Sequence, residues 1–448
     1  MYKDTIVAIA TPPGQGGIGV VRLSGPEAWS IASRLFNGTL EDRHAAYGHV
    51  RDPETRAVID EALVTPMKGP RTYTGEDAVE ISCHGSPVAL QKVVGAALRL
   101  GARAASPGEF TLRAFLNGRI DLAQAESVLD IIQAQSDASL RLAVQGLQGR
   151  LSERIGAVRE RLLQVQAYLT ACIDFPEDEV ESQIDIKPRD LLQAAKAEIA
   201  TLIASADSGI VYRQGVRTAI VGRPNVGKSS LLNRLLGEER AIVTAVPGTT
   251  RDTVEETVSV QGVPFHLVDT AGIRETKDAV EAMGIERSRK AAGKADLVLV
   301  VIDASAPLTN DASALIEMAK GKPAIIVANK CDLPMKARLA ELPSPVVRIS
   351  ALTGAGMDAL HEAMAIAALG GKVATTDAVL VTNERHKAAL QKALAHVEAA
   401  ARTLAEKAPE DFITIDLAAA LGALGEITGE SATEEVLDRI FAQFCIGK

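Results

Sequence analysis

The sequence predicts a multidomain α/β plus α protein: an N-terminal α+β domain, a helical domain, and a doubly wound α/β domain of the P-loop type inserted into the helical one. Three observations predict it. At 448 residues the chain is too long for one compact core. Between residues 215 and 371 the apolar runs TAIVG, PFHLVDT, DLVLVVID, PAIIVAN and PVVRIS alternate with helical stretches, as buried parallel strands do. Helical sequence lies on both sides of that region, at 119–214 and 372–448, so one helical domain is interrupted in sequence and continuous in space.

The elements follow in order. Residues 1–118 read as mixed, with TIVAIA and GVVRL as strands around the turn-rich PPGQGG and a further strand in AVEIS at 78–82. From Arg119 the chain reads as helix. There Leu151, Ile155, Val158, Leu162, Val165, Leu169 and Cys172 recur at spacings of 4 and 3, a stripe with Glu153, Arg154, Arg159 and Glu160 off it. It spans only about three heptads, which favours core packing over a coiled-coil interface. After residue 372 the run HKAALQKALAHVEAAARTLAE is helical again.

Composition narrows the class. Hydrophobic residues make up 47% and charged residues 23%, a globular balance, and aromatics only 3%, which implies aliphatic, helix-rich cores. A formal charge of −9 disfavours non-specific nucleic-acid binding, which needs clustered cations. Cys83, Cys172, Cys331 and Cys445 form no C-x-x-C pair, so a zinc or disulfide framework is not expected and a reducing cytoplasm is. The start MYKDTIVAIATPPG lacks the basic and apolar regions of a secretory signal, and no window approaches the ~20 apolar residues of a membrane span.

The chemistry concentrates in GRPNVGKSS, residues 222–230, between a strand and a helical stretch. There Asn225, Val226, Gly227, Lys228, Ser229 and Ser230 form a phosphate-binding loop. Its amides and the helix N-terminus point at an anion. Lys228 reaches the β- and γ-phosphates and the Ser229 hydroxyl ligates Mg²⁺. The motif Asp269, Thr270, Ala271, Gly272 offers a carboxylate to Mg²⁺ through water and an amide to the γ-phosphate. In Asn329, Lys330, Cys331, Asp332 the last carboxylate accepts from N1 and the 2-amino group of guanine, which adenine cannot supply. The backbone of Ser350, Ala351, Leu352 contacts the guanine carbonyl. All sit at strand ends on one sheet edge, where α/β ligands bind, and together they specify GTP. Between them lies Thr244, Ala245, Val246, Pro247, Gly248, Thr249, Thr250, where Thr249 or Thr250 closes over Mg²⁺ and the γ-phosphate. The residue after the Asp269 motif is Ile273, which cannot orient water as glutamine does at that place in many GTPases. Hydrolysis needs another water-orienting group and another positive charge. Asn225 is left with two readings, an ion ligand or a local loop cap.

With these motifs in order, the chain resembles the MnmE (TrmE) family of tRNA-modification GTPases. The resemblance covers the whole length, including TPPGQGGIGVVRLSG, YTGEDAVEISCHG, SPGEFTLRAFLNGRIDLAQAE, IDFPEDEV and the terminal FCIGK. It implies a homodimer formed through N-terminal domains that bind a tetrahydrofolate derivative of the 5-formyl type. It implies work with the flavoprotein MnmG, in a heterotetramer, to add a carboxymethylaminomethyl-type group at C5 of the wobble uridine (position 34) of certain tRNAs. It implies K⁺ beside the phosphates, held by Asn225, Thr244, Val246 and Thr249, doing the work of an arginine finger; neutral oxygen donors suit that ion. Thr250 joins Ser229 on Mg²⁺, and Glu281 orients water; read bare, Glu281 is one more exposed acid on a helix. Folate contacts fall on Arg22, Glu80, Arg119 and Lys448, and Arg119 stands where the family often has lysine, which changes that contact's geometry. The implied setting is cytoplasmic, with no membrane. The other class that carries the same motifs is a GTP-dependent switch or assembly factor.

Two matches point elsewhere. Gly14–Gly19 fits G-x-G-x-x-G, but a strand-like run follows where a dinucleotide site needs a helix. Cys445 stands in a prenylation position, but Lys448 is not a usual last residue for that signal. Cys445 reads either as a reactive thiol or as a buried structural one.

Overall fold

The computed structural model describes residues 3–174, 187–239, 256–268, 290–339, 342, 345–371, 381–406 and 409–448. These fall into two compact units, one holding Met1–Leu129 and Gly425–Lys448, the other holding the described residues between them.

The first unit is built on a six-stranded sheet. Its strands are β1 (Ile6–Ile9), β2 (Gly16–Ser24), β3 (Ala46–Arg51), β4 (Val58–Met67), β5 (Ala78–Gly85) and β6 (Arg103–Ala104), in the order β3-β4-β5-β2-β1-β6. All neighbours are antiparallel except β1 and β6. Helices α1 (Ala28–Leu35) and α2 (Pro87–Arg99) bury their apolar stripes on one face, with Ile31, Leu35, Leu90 and Val93 against Val21, Leu23, Val79 and Ile81. Ser86 caps α2 and Pro87 opens it, a usual N-terminal pairing. The G-x-G-x-x-G run leads into β2, so no dinucleotide fingerprint is present. The expected strands at the start of the chain and at 78–82 are there; β3 and β4 had no clear alternation to announce them.

Helix α3 (Glu109–Leu116) brings Arg113, fully buried, under the sheet. Its guanidinium donates to Asp4 Oδ1 at 2.8 Å, to Glu109 Oε1 at 3.0 Å and to Glu76 Oε2 at 3.2 Å. Ser24 donates to Glu76 at 2.7 Å and Arg103 to Glu109 at 2.5 Å. Helix α4 (Leu122–Gln133) follows α3, and the C-terminal helix Glu434–Phe441 packs Ile440, Phe441 and Phe444 against Ala114, Leu122 and Leu129. The last residues of the chain are thus structural parts of the first unit.

In the second unit, α5 (Asp137–Leu147) leads to the long helices α6 (Arg150–Asp174) and α7 (Pro188–Gln214). The seam residues Leu151, Ile155, Val158, Leu162, Val165 and Leu169 are buried, as ordinary core packing requires. The chain then enters a second six-stranded sheet made of β7 (Val216–Gly222), β8 (Glu256–Val260), β9 (Val263–Val268), β10 (Leu297–Asp303), β11 (Ala324–Asn329) and β12 (Val346–Arg348). Its order is β12-β11-β10-β7-β9-β8, parallel except for the β8–β9 hairpin. Helices α8 (Lys228–Glu239), α9 (Asn310–Met318) and α10 (Met357–Ala368) belong to this domain. Successive β10 residues serve opposite faces: Leu299 and Val301 pack with Leu231, Leu235 and Leu360, while Val298, Val300 and Ile302 pack with Leu315 and Ile316. Two-sided burial is why these strands read as unbroken apolar runs. Afterwards α11 (Glu384–Ala405) packs back on α7, so the α/β domain is an insertion in a helical one, and α12 (Glu410–Thr428) leads on towards the C-terminal helix. No helix among the described residues is long and apolar enough to cross a membrane.

The buried Arg113 cluster yields a stability prediction. Arg113→Met leaves Glu76 buried without its counter-charge and Glu109 with Arg103 alone, at a cost of about 3–5 kcal/mol. Denaturant unfolding followed through Trp29, the single tryptophan and a resident of the first unit, measures it. Burial pushes the Glu109 carboxyl up, but bonds from Arg103, the Ser106 amide and Arg113 outweigh it and hold it below its ordinary value. A carboxyl depressed by folding contributes stability above its unfolded range, so the wild-type Trp29 transition is expected to weaken as pH falls below about 4.

Candidate functional site

The α/β sheet places three loops on one edge. In register, Gly222 lies beside Val301, and Asp303 beside Asn329. The phosphate-loop start and the guanine-motif start therefore flank the end of β10. Because β7 sits between β9 and β10, the crevice at its C-terminal end is the switch point where α/β ligands bind.

Two residues give the loop its curl. Gly227 has φ 97°, and a Cβ there would lie 2.1 Å from Asn329 Nδ2. Asn225 has φ 63°, in the left-handed region that asparagine tolerates better than most residues. Its side chain is exposed and makes no hydrogen bond to a described residue. A local cap would show such a bond, so the carboxamide is available to an external partner. Lys228, the first residue of α8, folds back over the loop and donates to Gly222 O at 2.9 Å and Arg223 O at 2.7 Å. Burial lowers its ammonium from the ordinary lysine value. A polyphosphate in the loop would restore what burial removes. Ser229 and Ser230 follow in the first turn of α8, both exposed, and Val226 is buried beneath the loop.

Asn329 joins the three loops. It is 3% exposed; its Nδ2 donates to Val226 O at 2.8 Å and its Oδ1 accepts from Ala351 N–H at 3.0 Å. Its own carbonyl accepts from Ala304 N–H at 2.8 Å. Within the Ser350–Leu352 backbone expected at the guanine carbonyl, the Ala351 amide is engaged with Asn329. Sequence reading missed Arg234, on α8, which donates to Leu352 O at 2.8 Å and Ala351 O at 3.3 Å and so ties that loop to the phosphate helix. Ser350 is fully buried and Leu352 is 80% exposed. Lys330 has φ 67°, and the Cys331 amide donates to Ile349 O at 3.0 Å. Asp332 is exposed next to them. Residues Thr244, Ala245, Val246, Pro247, Gly248, Thr249, Thr250, Asp269, Thr270, Ala271, Gly272, Ile273 and Glu281 lie outside the described residues.

The first unit holds a second cluster of candidate residues, rich in cations. Arg22 on β2 and Glu80 on β5 are direct cross-strand partners, with both Arg22 Nε and Nη2 donating to Glu80 Oε1 at 3.0 and 2.8 Å. Arg22 also points at Gly447 O, at 3.4 Å. The C-terminal tail is seated there by the N-terminus of α3: Phe110 N–H donates to Lys448 O at 3.2 Å and Gly108 N–H to Cys445 O at 3.4 Å. Gly447 has φ 95° and a Cβ there would meet Ile9 O at 2.3 Å, so the seat accepts only glycine. Burial and the nearby Arg22 lower the Lys448 ammonium, against the pull of Glu80 and Cys445. Arg119 joins this set through Tyr73, whose ring has Arg119 at 5.1 Å on it and Arg22 at 5.7 Å. Tyr73 was not legible as part of this set; only the fold sets its ring against two guanidinia. Arg22 and Lys448 lie near Glu80, and Arg22 and Arg119 near Tyr73, a set whose cations suit an anionic ligand with a polar ring. Cys445 is an exposed free thiol, not a buried structural one.

Comparison with known proteins places the chain in a family over its whole length. Residues 122–445 match the family model described as the MnmE helical domain, and residues 5–119 the one described as the GTP-binding protein TrmE N-terminus. The chain is 51% identical over 455 residues to a tRNA modification GTPase MnmE of Chloroflexus aurantiacus, covering 100% of both chains. It is 47% identical over 467 residues to that of Desulforamulus reducens, again covering 100% of both. With that of Levilactobacillus brevis it shares 48% over 456 residues, 99% of this chain and 98% of the relative.

The Asn329 clasp is testable by itself. Asn329→Ala leaves Val226 O and Ala351 N–H buried and unpaired, at about 1–3 kcal/mol for each group left unsatisfied. Gly227→Ala drives a Cβ into the same carboxamide. Since part of its cost is that clash, the double variant is expected to lose less than the sum of the two, read by denaturant unfolding as a double-mutant cycle.

Proposed function

The chain belongs to the MnmE family of tRNA modification GTPases, and on that premise we propose that it hydrolyses GTP at the β7–β10–β11 edge in a K⁺-stimulated, Mg²⁺-dependent reaction that serves wobble-uridine modification. The observation that carries the proposal is the Asn225 carboxamide, held in the left-handed region and uncommitted to any described residue, beside a complete phosphate loop and guanine motif.

The chain's own residues divide the work. Amides of the loop and of the α8 N-terminus bind phosphate, and Lys228 leaves the carbonyls of Gly222 and Arg223 to meet the β- and γ-phosphates. Asp332 reads the guanine edge. Ser229 and Thr250 hold Mg²⁺; Asn225 with Thr244, Val246 and Thr249 holds K⁺. When bound, the two ions supply positive charge where it develops in phosphoryl transfer. Glu281 orients the attacking water, the task that Ile273 cannot perform.

In the first unit, Arg22, Glu80, Arg119 and Lys448 bind a tetrahydrofolate derivative: the cations suit its carboxylates and Glu80 suits the donor edge of a pterin. We assign 1–118 to a dimerising, folate-binding domain, 119–214 and 372–448 to the helical domain, and 215–371 to the G domain. The protein acts in the cytoplasm as a homodimer with the flavoprotein MnmG, on C5 of the wobble uridine.

Two outcomes test this. GTP turnover in K⁺ is expected to exceed turnover in Na⁺ at equal ionic strength, and Asn225→Ala to remove that excess, a loss of about 10²-fold or more if the fixed cation contributes as such groups usually do. Equal rates in the two salts would sink the cation role. Nucleoside mass spectrometry of tRNA from cells lacking the protein is expected to show unmodified wobble uridine; an unchanged profile points instead to a switch or assembly factor.

A further inference from the structure

Asp303 belongs to none of the nucleotide motifs, yet it sits among them. It ends β10, in register with Asn329 on β11. Its Oδ2 accepts from Lys330 Nζ at 2.5 Å. Its Oδ1 accepts from Ser305 N–H at 2.9 Å and from Ser305 Oγ at 2.6 Å. Three bonds from two neighbours hold the carboxylate in place. Burial raises the Asp303 carboxyl, but the bonds from Lys330 and Ser305 outweigh it and hold it below its ordinary value. It is therefore ionised at neutral pH.

Lys330 is constrained at both ends. Its backbone is left-handed at φ 67°, uncommon for a residue with a side chain. The Cys331 amide beyond it is bonded to Ile349 O, and the Leu333 amide donates back to Lys330 O at 3.1 Å. Asp303 is the one described partner of its ammonium. The methylene stem must then bridge the ends of β10 and β11, between the phosphate loop on β7 and Asp332. It is partly exposed there, with 32% of its side chain open. A lysine stem is an apolar surface with a charged tip, and a purine ring laid between Asp332 and the phosphate loop meets that surface.

We propose that Asp303 is a positioning residue for guanine-nucleotide binding: braced by Ser305, it holds the Lys330 ammonium and so fixes the lysine stem as a wall of the base pocket before nucleotide arrives. The proposal rests on the reading that this edge binds guanine nucleotides. Lys228 already serves the phosphates, so a second lysine tied to a carboxylate has no charge left to offer them. What it contributes is a preordered surface, and ordering a long side chain in advance removes that cost from binding.

The test uses the full-length protein and a fluorescent GDP analogue, with stopped-flow dissociation. Asp303→Asn is expected to raise the dissociation constant about tenfold, through faster release, as suits loss of preorder in one long side chain. KM for GTP rises by a similar factor and kcat changes less than about twofold. The weakening is the same for inosine diphosphate, which lacks the 2-amino group, because the Asp332 contact is untouched. On a Lys330→Met background, Asp303→Asn adds nothing further. Ser305→Ala, which loosens the brace and keeps the ion pair, gives a smaller rise and carries the test should Asp303→Asn not fold. Wild-type-like binding by Asp303→Asn, or full additivity with Lys330→Met, overturns the proposal. A wild-type chain that binds no guanine nucleotide overturns the underlying reading, and the two failures are distinct.

Discussion

The buried carboxamide of Asn329 is the interaction on which the nucleotide edge depends. A carboxamide carries a donor and an acceptor on one planar group, and here each faces a different loop: Val226 O on one side, Ala351 N–H on the other. An acid would set an acceptor against the Val226 carbonyl; an apolar residue would leave two buried backbone groups unpaired. Gly227 exists in its present form because the carboxamide occupies the space a Cβ would need. The loops after β11 and β12 and the loop after β7 are therefore tied together, although more than a hundred residues separate Val226 from Asn329 in sequence.

The first unit uses a different device. Arg113 is buried at the meeting of α3, the Asp4 segment and the Glu76 turn, and its carboxylate partners come from three parts of the chain. A buried charge cluster tolerates little rearrangement, because each group relies on the others for its counter-charge. Helix α3, so fixed, presents its N-terminal amides to the chain's last residues and holds Lys448 near Arg22 and Glu80. The geometry of the cationic set follows from a helix that contributes to it its N-terminal backbone, Phe110 and, by a hydrogen bond to Tyr73, Thr111.

Both sites share a logic in which the reactive-looking groups are held by groups that touch no ligand. Arg234 holds the Ala351–Leu352 carbonyls, Asp303 holds Lys330, and the Tyr73 ring lies against both Arg22 and Arg119. Such supporting residues keep a site within the tolerance that phosphoryl transfer and ring recognition need.

The sequence by itself determined the elements that carry strong local signals. Two-sided burial writes β7, β10 and β11 as unbroken apolar runs, and the loop chemistry of Gly227, Lys228 and Asp332 is written at fixed spacings. The α6 seam announced a buried helix face by its period. Strands β3, β4 and β8 were not legible: β3 lacks a regular alternation of buried and exposed positions, β4 alternates in burial but has the apolar Leu63 and Met67 on its open side and Pro66 on its buried one, and β8 is only five residues long. Tertiary structure alone decided that Asn329 clasps two loops, that the Ala351 amide faces Asn329, that Tyr73 sits between two arginines and that Asp303 holds Lys330. The physical reason is the same each time. These are contacts between residues far apart or on neighbouring strands, formed by register and by the direction of single side chains, and neither leaves a periodic mark on the chain.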